Sequence, residues 1–129
     1  MVPKHLYHHY FLIPLYNRYG DNKLTANQFL ESVDNIYSAR GYKFINGILR
    51  DANKNYEIYK KDFLKFNNNE NPQSLRNISE NFYEYLYGKI EFIGDKTPHY
   101  GIHAETICKI WPKAKFIHIV RDGIDVATS

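Results

Sequence analysis

The segment that most limits the possible folds of this chain is a short apolar run near its carboxyl end. The stretch from Lys115 to Val120 carries the apolar residues Phe116, Ile117, Ile119 and Val120, a run interrupted only by His118. A run of this length and composition is typical of a parallel strand that is covered on both faces. Asp122-Gly123 then supplies a turn, and a helical pattern begins at Ile124. The sequence therefore predicts a strand, a turn and a helix, which together indicate an α/β fold.

Arg121 follows the predicted strand directly, and Ser129 comes eight residues later. In open α/β sheets the carboxyl ends of the strands form the edge at which ligands bind. A guanidinium group at that edge suits a phosphate bidentately, and a hydroxyl two turns into the next helix can donate a further hydrogen bond. This pair predicts half of a phosphate site. The alternative is that Arg121 pairs with a structural carboxylate, either Asp122 or Asp125.

A second candidate strand, Ile90 to Ile93, precedes the loop Gly94 to Pro98. Lys96 lies in that loop and would reach the same sheet edge as Arg121. Pro98 favours an extended backbone at Thr97, which keeps the loop from winding into a helix. Cations, hydroxyl groups and a histidine that converge on one edge predict a polyanion site.

These residues resemble the central part of the sulfotransferases that use 3′-phosphoadenosine 5′-phosphosulfate (PAPS). The similarity rests on Lys96-Thr97-Pro98, on Pro112-x-Ala114-Lys115-Phe116-Ile117, and on the stretch from Val120 to Ser129 with its Arg-Asp-Gly-x-Asp-Val. It is closer to the bacterial and protein-tyrosine branches than to the cytosolic branch. The resemblance implies a P-loop-like parallel sheet with a helical N-terminal insertion, as a three-layer α/β/α domain in the complete protein.

The resemblance also implies roles for individual residues. Arg121 and Ser129 would bind the 3′-phosphate of the nucleotide, and Lys96 would contact the nucleotide or the bridging oxygen. His99, next to the family's Lys-Thr-His position, is a candidate base, whereas branches with Lys-Thr-Pro usually draw a base, often a glutamate, from elsewhere. The implied partners are PAPS, its product nucleotide and an unknown hydroxyl or amine acceptor.

One element of the family pattern is missing from the sequence. None of the seven glycines lies in a loop of the Pro-Lys-Ser-Gly-Thr-Thr type, the loop whose amides and lysine hold the phosphosulfate. We therefore expect residues 1–129 to be a single partial sulfotransferase domain that is inactive or nearly so on its own. Residues 1–89 would be a helical acceptor-binding region, and residues 90–129 a strand-helix-strand nucleotide-binding region.

The first ninety residues read as helices joined by loops. Thr25 to Gln28 resembles a capping box, and an apolar stripe follows it as far as Gly41. Further helices are predicted over Ala52 to Phe66 and near Ser79 to Tyr87, with a loop at Asn67 to Pro72 between them. The twelve tyrosines and eight phenylalanines fall largely in such stripes. We expect most of them to form core rather than a ligand site.

Composition excludes several classes of function. The basic excess is only three charges, which does not indicate a nucleic acid polymer as partner. His5, His8 and His9 have no cysteine or carboxylate near them, so no metal site is expected. The sequence has neither a run long enough to span a membrane nor a secretory leader, which favours a cytoplasmic location. A sulfotransferase fragment and a non-catalytic, anion-binding α/β interaction module both remain compatible with the sequence.

Overall fold

The chain is described by a computed structural model over residues 8–89, 91–96 and 100–128. Throughout these residues the regular structure is helical. The helices, in chain order, are α1 His8–Tyr19, α2 Ala26–Asp34, α3 Phe44–Asp51, α4 Tyr59–Asn67, α5 Leu75–Tyr87, α6 Tyr100–Ile110 and α7 Gly123–Thr128. Two isolated antiparallel bridges, Leu24 with Gln73 and Tyr37 with Lys43, tie loops together.

Side-chain caps start helices α2 and α5. The Thr25 hydroxyl accepts a hydrogen bond from the Gln28 amide at 3.3 Å, and the Gln28 side chain accepts one from the Thr25 amide at 2.8 Å. This reciprocal pair is the predicted capping box, and it opens α2. Ser74 caps α5 in a simpler way, by accepting from the Asn77 amide at 3.2 Å. Helix α5 therefore begins at Leu75, four residues before the predicted start.

Two further predicted helix boundaries are wrong. Helix α2 ends at Asp34, because the chain then turns back to form the Tyr37–Lys43 bridge. The predicted helix over Ala52 to Phe66 begins only at Tyr59. Residues 52–58 instead form the C-cap and the turn that follow α3, a helix that the sequence did not predict.

Helix α3 ends in a pair of hydrogen bonds typical of a Schellman motif. The amide of Lys54 donates to the carbonyl of Leu49 at 2.8 Å, and the amide of Asn53 donates to that of Arg50 at 3.0 Å. Asn53 takes the left-handed conformation, with φ of 54°, that this motif requires. The motif satisfies the last carbonyls of the helix and turns the chain toward α4.

The core is formed where α1, α2, α4 and α5 pack together, and α6 covers α1. At its centre, Phe63 meets Phe82 edge to face, with ring centroids 5.2 Å apart, and Phe29 meets Phe82 in the same way at 5.3 Å. All three rings are fully buried. Such a cluster combines a large buried apolar area with the favoured geometry of aromatic pairs.

The α/β fold class with a parallel sheet is wrong for this chain, since the described residues contain no strand and no sheet. Residues 115–122 are irregular, and Ile117 and Ile119 are 89% and 81% exposed. Residues 91–96 are likewise irregular, with Phe92 77% exposed. A strand exists only in a hydrogen-bonded ladder, and an apolar run forms no strand where no neighbour pairs with it. The predicted strand-helix-strand region thus contains two helices, α6 and α7, among its described residues.

Candidate functional site

The predicted nucleotide-binding residues lie in the carboxyl-terminal part of the chain. Arg121 is exposed and lies two residues before α7. Lys96 is exposed in the irregular segment 91–96. His99 and Ser129, the other two predicted residues, lie outside the described residues. The sheet edge that was expected to bring these side chains together is absent from the described structure, and their roles stay predictions.

Asp122 is engaged with the start of α7. Its carboxylate Oδ1 accepts a hydrogen bond from the amide of Ile124 at 2.8 Å, which satisfies one of the free amides at the helix start. Among the described residues, neither Arg121 nor Lys96 forms a salt bridge. Arg121 is therefore exposed and not held by Asp122, and the side chain of Asp125, the other candidate partner, lies outside the described part of the structure.

The most densely bonded polar group of the described structure is Asp34, at the end of α2. Its Oδ2 accepts hydrogen bonds from the Nζ atoms of Lys43 at 2.8 Å and Lys60 at 3.1 Å. Its Oδ1 accepts from the hydroxyl groups of Tyr56 at 2.8 Å and Tyr59 at 3.1 Å. We call these five residues the Asp34 cluster. It joins α2, the start of α3, the α3–α4 loop and α4.

The electrostatics of the Asp34 cluster fix its charges. Burial opposes the ionisation of Asp34, but the hydrogen bonds from Lys43 and Tyr56 outweigh it and lower the pKa of the carboxyl group to about 2. The hydrogen bond to Asp34 in turn raises the pKa of Lys43 above its ordinary value. Burial, followed by the charge of Asp34, raises the pKa of Tyr59. Near neutral pH Asp34 is therefore charged, and Lys43 and Tyr59 keep their protons, so this arrangement is suited to holding the helices together rather than to proton transfer.

Two surface depressions share one lining residue, and the first of them borders the Asp34 cluster at Tyr56. The first, of about 370 Å³, follows the end of α3 and is lined by Asn46, Leu49, Arg50, Asn53, Lys54 and Tyr56. We call it the α3 groove. The second, of about 630 Å³, lies between the ends of α4 and α5 and includes Lys54, Phe66 and Tyr85 in its lining. The Nζ of Lys54 lies 4.5 Å from the centre of the Tyr85 ring, at the junction of the two.

Sequence reasoning missed both the Asp34 cluster and the α3 groove. The cluster joins residues 9 to 26 positions apart, and no short motif records such pairings. A usable signal was Asp34 itself, an acidic residue directly after the apolar Val33 of α2. A buried carboxylate of this kind requires partners. Tyr56 and Tyr59 belong to the apolar stripe predicted over Ala52 to Phe66, and Tyr59 is indeed part of the core. Their hydroxyl groups are in addition the partners of Asp34.

No group of histidine, cysteine and carboxylate residues in residues 8–89, 91–96 and 100–128 has the arrangement of a metal site. Over the same residues, no helix combines the length and apolar character that crossing a membrane requires.

Comparison with known proteins gives one positive result. Residues 7–129 match the family model described as the sulfotransferase family. Searches of curated proteins and of solved structures found no significant match. The matched range includes all the described helices.

Proposed function

Because this chain belongs to the sulfotransferase family, we propose that it acts in the transfer of a sulfuryl group from PAPS to a hydroxyl or amine acceptor. The single observation that carries this proposal is the family match over residues 7–129. PAPS supplies the activated sulfuryl group when bound. What the residues of this chain contribute is the binding of the nucleotide and the positioning of the acceptor.

Arg121 is proposed to bind the 3′-phosphate of the nucleotide. Its exposure and its freedom from a salt bridge within the described residues support this role. A guanidinium group offers two parallel donors to two phosphate oxygens, a geometry that an ammonium group cannot match. Ser129 is proposed to add a hydroxyl donor to the same phosphate.

Lys96 is proposed to contact the nucleotide or the bridging oxygen from which the sulfuryl group departs. Negative charge grows on that oxygen during transfer, and a cation nearby stabilises it. The acceptor must lose a proton as it attacks, and His99 is the proposed base, with a carboxylate elsewhere as the alternative. The phosphosulfate-binding loop is absent from the sequence, so the isolated chain is proposed to bind nucleotide better than it catalyses transfer.

The 3′-phosphate assignment is tested by measuring nucleotide affinity with and without that phosphate, using the full-length protein and isothermal titration calorimetry. An Arg121→Ala variant is expected to lose about 1.5 to 3 kcal/mol of binding free energy for the 3′-phosphorylated nucleotide, since a hydrogen bond to a charged group is lost. Its affinity for the nucleotide without the 3′-phosphate is expected to stay unchanged. Arg40→Ala is the matched control, because Arg40 is also an exposed arginine and lies in the α2–α3 turn, away from Arg121 in the sequence.

Two outcomes would contradict the proposal. Equal affinity of the wild-type protein for the two nucleotides would show that the protein does not bind the 3′-phosphate. Equal losses in the Arg121 and Arg40 variants would show a general effect of charge. A screen of sulfate transfer from PAPS to phenols, sugars and amines tests the catalytic step separately, and nucleotide binding without any transfer would favour a binding module instead.

A further inference from the structure

The α3 groove presents hydrogen-bond donors and positive charge. Its lining combines two side-chain amides, two cations, a tyrosine ring and the buried Leu49 at its base. Among the described residues that line it, none carries a carboxylate. A groove that offers donors and positive charge matches a ligand that offers acceptors and negative charge.

The backbone at the end of α3 holds these side chains in place. The Schellman hydrogen bonds of Asn53 and Lys54 occupy the carbonyls of Arg50 and Leu49, so the negative end of the helix is partly satisfied. The same turn fixes the direction in which Asn53 and Lys54 leave the helix. The groove is thus built on an ordered helix end rather than on a free loop.

The cations of the α3 groove are available to a ligand. Arg50 approaches Asp51 at 3.6 Å, but the two side chains are 82% and 57% exposed, and such a pair is weak in water. Lys54 forms no salt bridge among the described residues and rests against the Tyr85 ring. The neighbouring Asp34 cluster adds positive charge, because its single carboxylate is paired with two ammonium groups.

Tyr56 and the amides add the features of a sugar site. The Tyr56 hydroxyl donates to Asp34 and accepts from Lys43. The Tyr56 ring packs against Tyr59 and lies 5.5 Å from the Nζ of Lys43, so a ligand can contact only the part of Tyr56 that lines the groove. Asn46 and Asn53 are exposed and present both donors and acceptors, which suit the hydroxyl groups of a sugar. The volume, about 370 Å³, is at the lower end of the range for small-molecule sites.

We propose that the α3 groove binds an anionic sugar, one that carries a carboxylate or a sulfate ester. Arg50 and Lys54 hold the anionic group, while Asn46 and Asn53 bond to the hydroxyl groups and Tyr56 contacts the ring. We also assign this sugar as the acceptor of the sulfuryl group, and that part of the proposal rests on the proposed function. The binding of the sugar to the groove does not.

The test is a titration of the full chain, followed by nuclear magnetic resonance of its backbone amides, with three probes: glucuronate, glucose 6-sulfate and glucose. At least one anionic sugar is expected to bind ten or more times as tightly as glucose, with shifts at Asn53 and Lys54. Which of the two binds identifies the anionic group. Arg50→Gln and Lys54→Gln are each expected to weaken binding by about 5- to 20-fold, because each removes one charge-assisted contact.

Matched variants separate the groove from other sources of binding. Lys23→Gln and Arg40→Gln replace exposed cations outside the groove lining, and they are expected to leave sugar binding unchanged. Equal weakening in these variants would overturn the proposal, as would equal affinity for glucose or no binding of any probe. Loss of sugar binding in Arg121→Gln would also overturn it, because that result would show that the anionic sugar binds at the proposed nucleotide-binding residues. Since no probe needs PAPS, these results are independent of sulfuryl transfer.

Discussion

Replacing Asp34 by alanine is the sharpest test of what holds the helices of this protein together. The substitution removes the acceptor of four hydrogen bonds that join α2, α3 and α4. Tyr59 is 1% exposed, so its hydroxyl group would lose its partner where water cannot replace it. A buried donor left unsatisfied costs about 1 to 3 kcal/mol.

The two lysines contribute less to the expected loss. The side chains of Lys43 and Lys60 are 24% and 44% exposed, so their ammonium groups regain water when the carboxylate is removed. Pairs of this kind are worth up to about 1 kcal/mol each. We therefore expect Asp34→Ala to lower the free energy of unfolding by about 3 kcal/mol. At this chain length that is a fall in melting temperature of about 10 to 15 °C.

Urea denaturation at pH 7 measures this loss, with far-ultraviolet circular dichroism and the fluorescence of the single tryptophan, Trp111, as probes. Asp34→Asn is the matched control, because asparagine keeps the size of the side chain and one acceptor oxygen for the tyrosines. It is expected to lose less, about 1 to 2 kcal/mol. A loss below about 1 kcal/mol in Asp34→Ala would refute the view that the cluster stabilises the helix packing.

The pH dependence supplies an independent check on the same group. The pKa of Asp34 is lowered from 3.8 to about 2 in the folded protein, so the folded state favours the charged carboxylate. Its contribution is present in full above pH 4 and is lost as the pH falls toward 2. The shift corresponds to about 2 kcal/mol. The stability difference between wild type and Asp34→Asn should therefore shrink between pH 5 and pH 2, and a constant difference would show that the pKa is not lowered.

Two further predictions concern the core and the end of α3. Phe63→Ala removes the ring that packs edge to face on Phe82. It should lower the free energy of unfolding, measured by urea denaturation, by about 3 to 5 kcal/mol. The control is Phe66→Ala, at a half-exposed ring, and a smaller loss in Phe63→Ala than in this control would contradict the packing described. Asn53→Gly should leave stability unchanged or raise it by up to about 1 kcal/mol, because glycine adopts positive φ freely, whereas Asn53→Ala should lower it. Equal thermal midpoints for the two Asn53 variants would argue against the left-handed conformation.

The sequence predicted those parts of the fold that depend on neighbouring residues. The capping box of α2 was found because both of its hydrogen bonds lie within four residues of sequence. Helix α3 was missed because it is only eight residues long and contains Asn46 and Gly47, which weaken a helical pattern. The strand predicted at Lys115 to Val120 failed for a different reason. Its composition is that of a strand, but strand formation depends on a pairing partner, which composition does not reveal.

The residues of the candidate site likewise fall into those that a local motif predicts and those that only contacts between helices bring together. Arg121 and Lys96 were found from local sequence motifs, and the structure places both at the surface. The Asp34 cluster and the α3 groove arise from contacts between helices, as when Tyr59 in α4 reaches Asp34 in α2. A sequence pattern assigns both tyrosines of the cluster to a helical stripe. It does not show that their hydroxyl groups share one carboxylate.

The packing of α6 on α1 has a consequence for the order of events during synthesis. About eighty residues separate the end of α1 from the start of α6, so the surface that covers α1 is made long after α1 itself. At about 5 to 20 residues per second, α1 leaves the ribosome several seconds before its partner is complete. During that interval α2 and α5 can shield only part of the helix. The nascent chain thus carries an exposed apolar surface on α1, which is covered only after α6 has been made as far as Ile110.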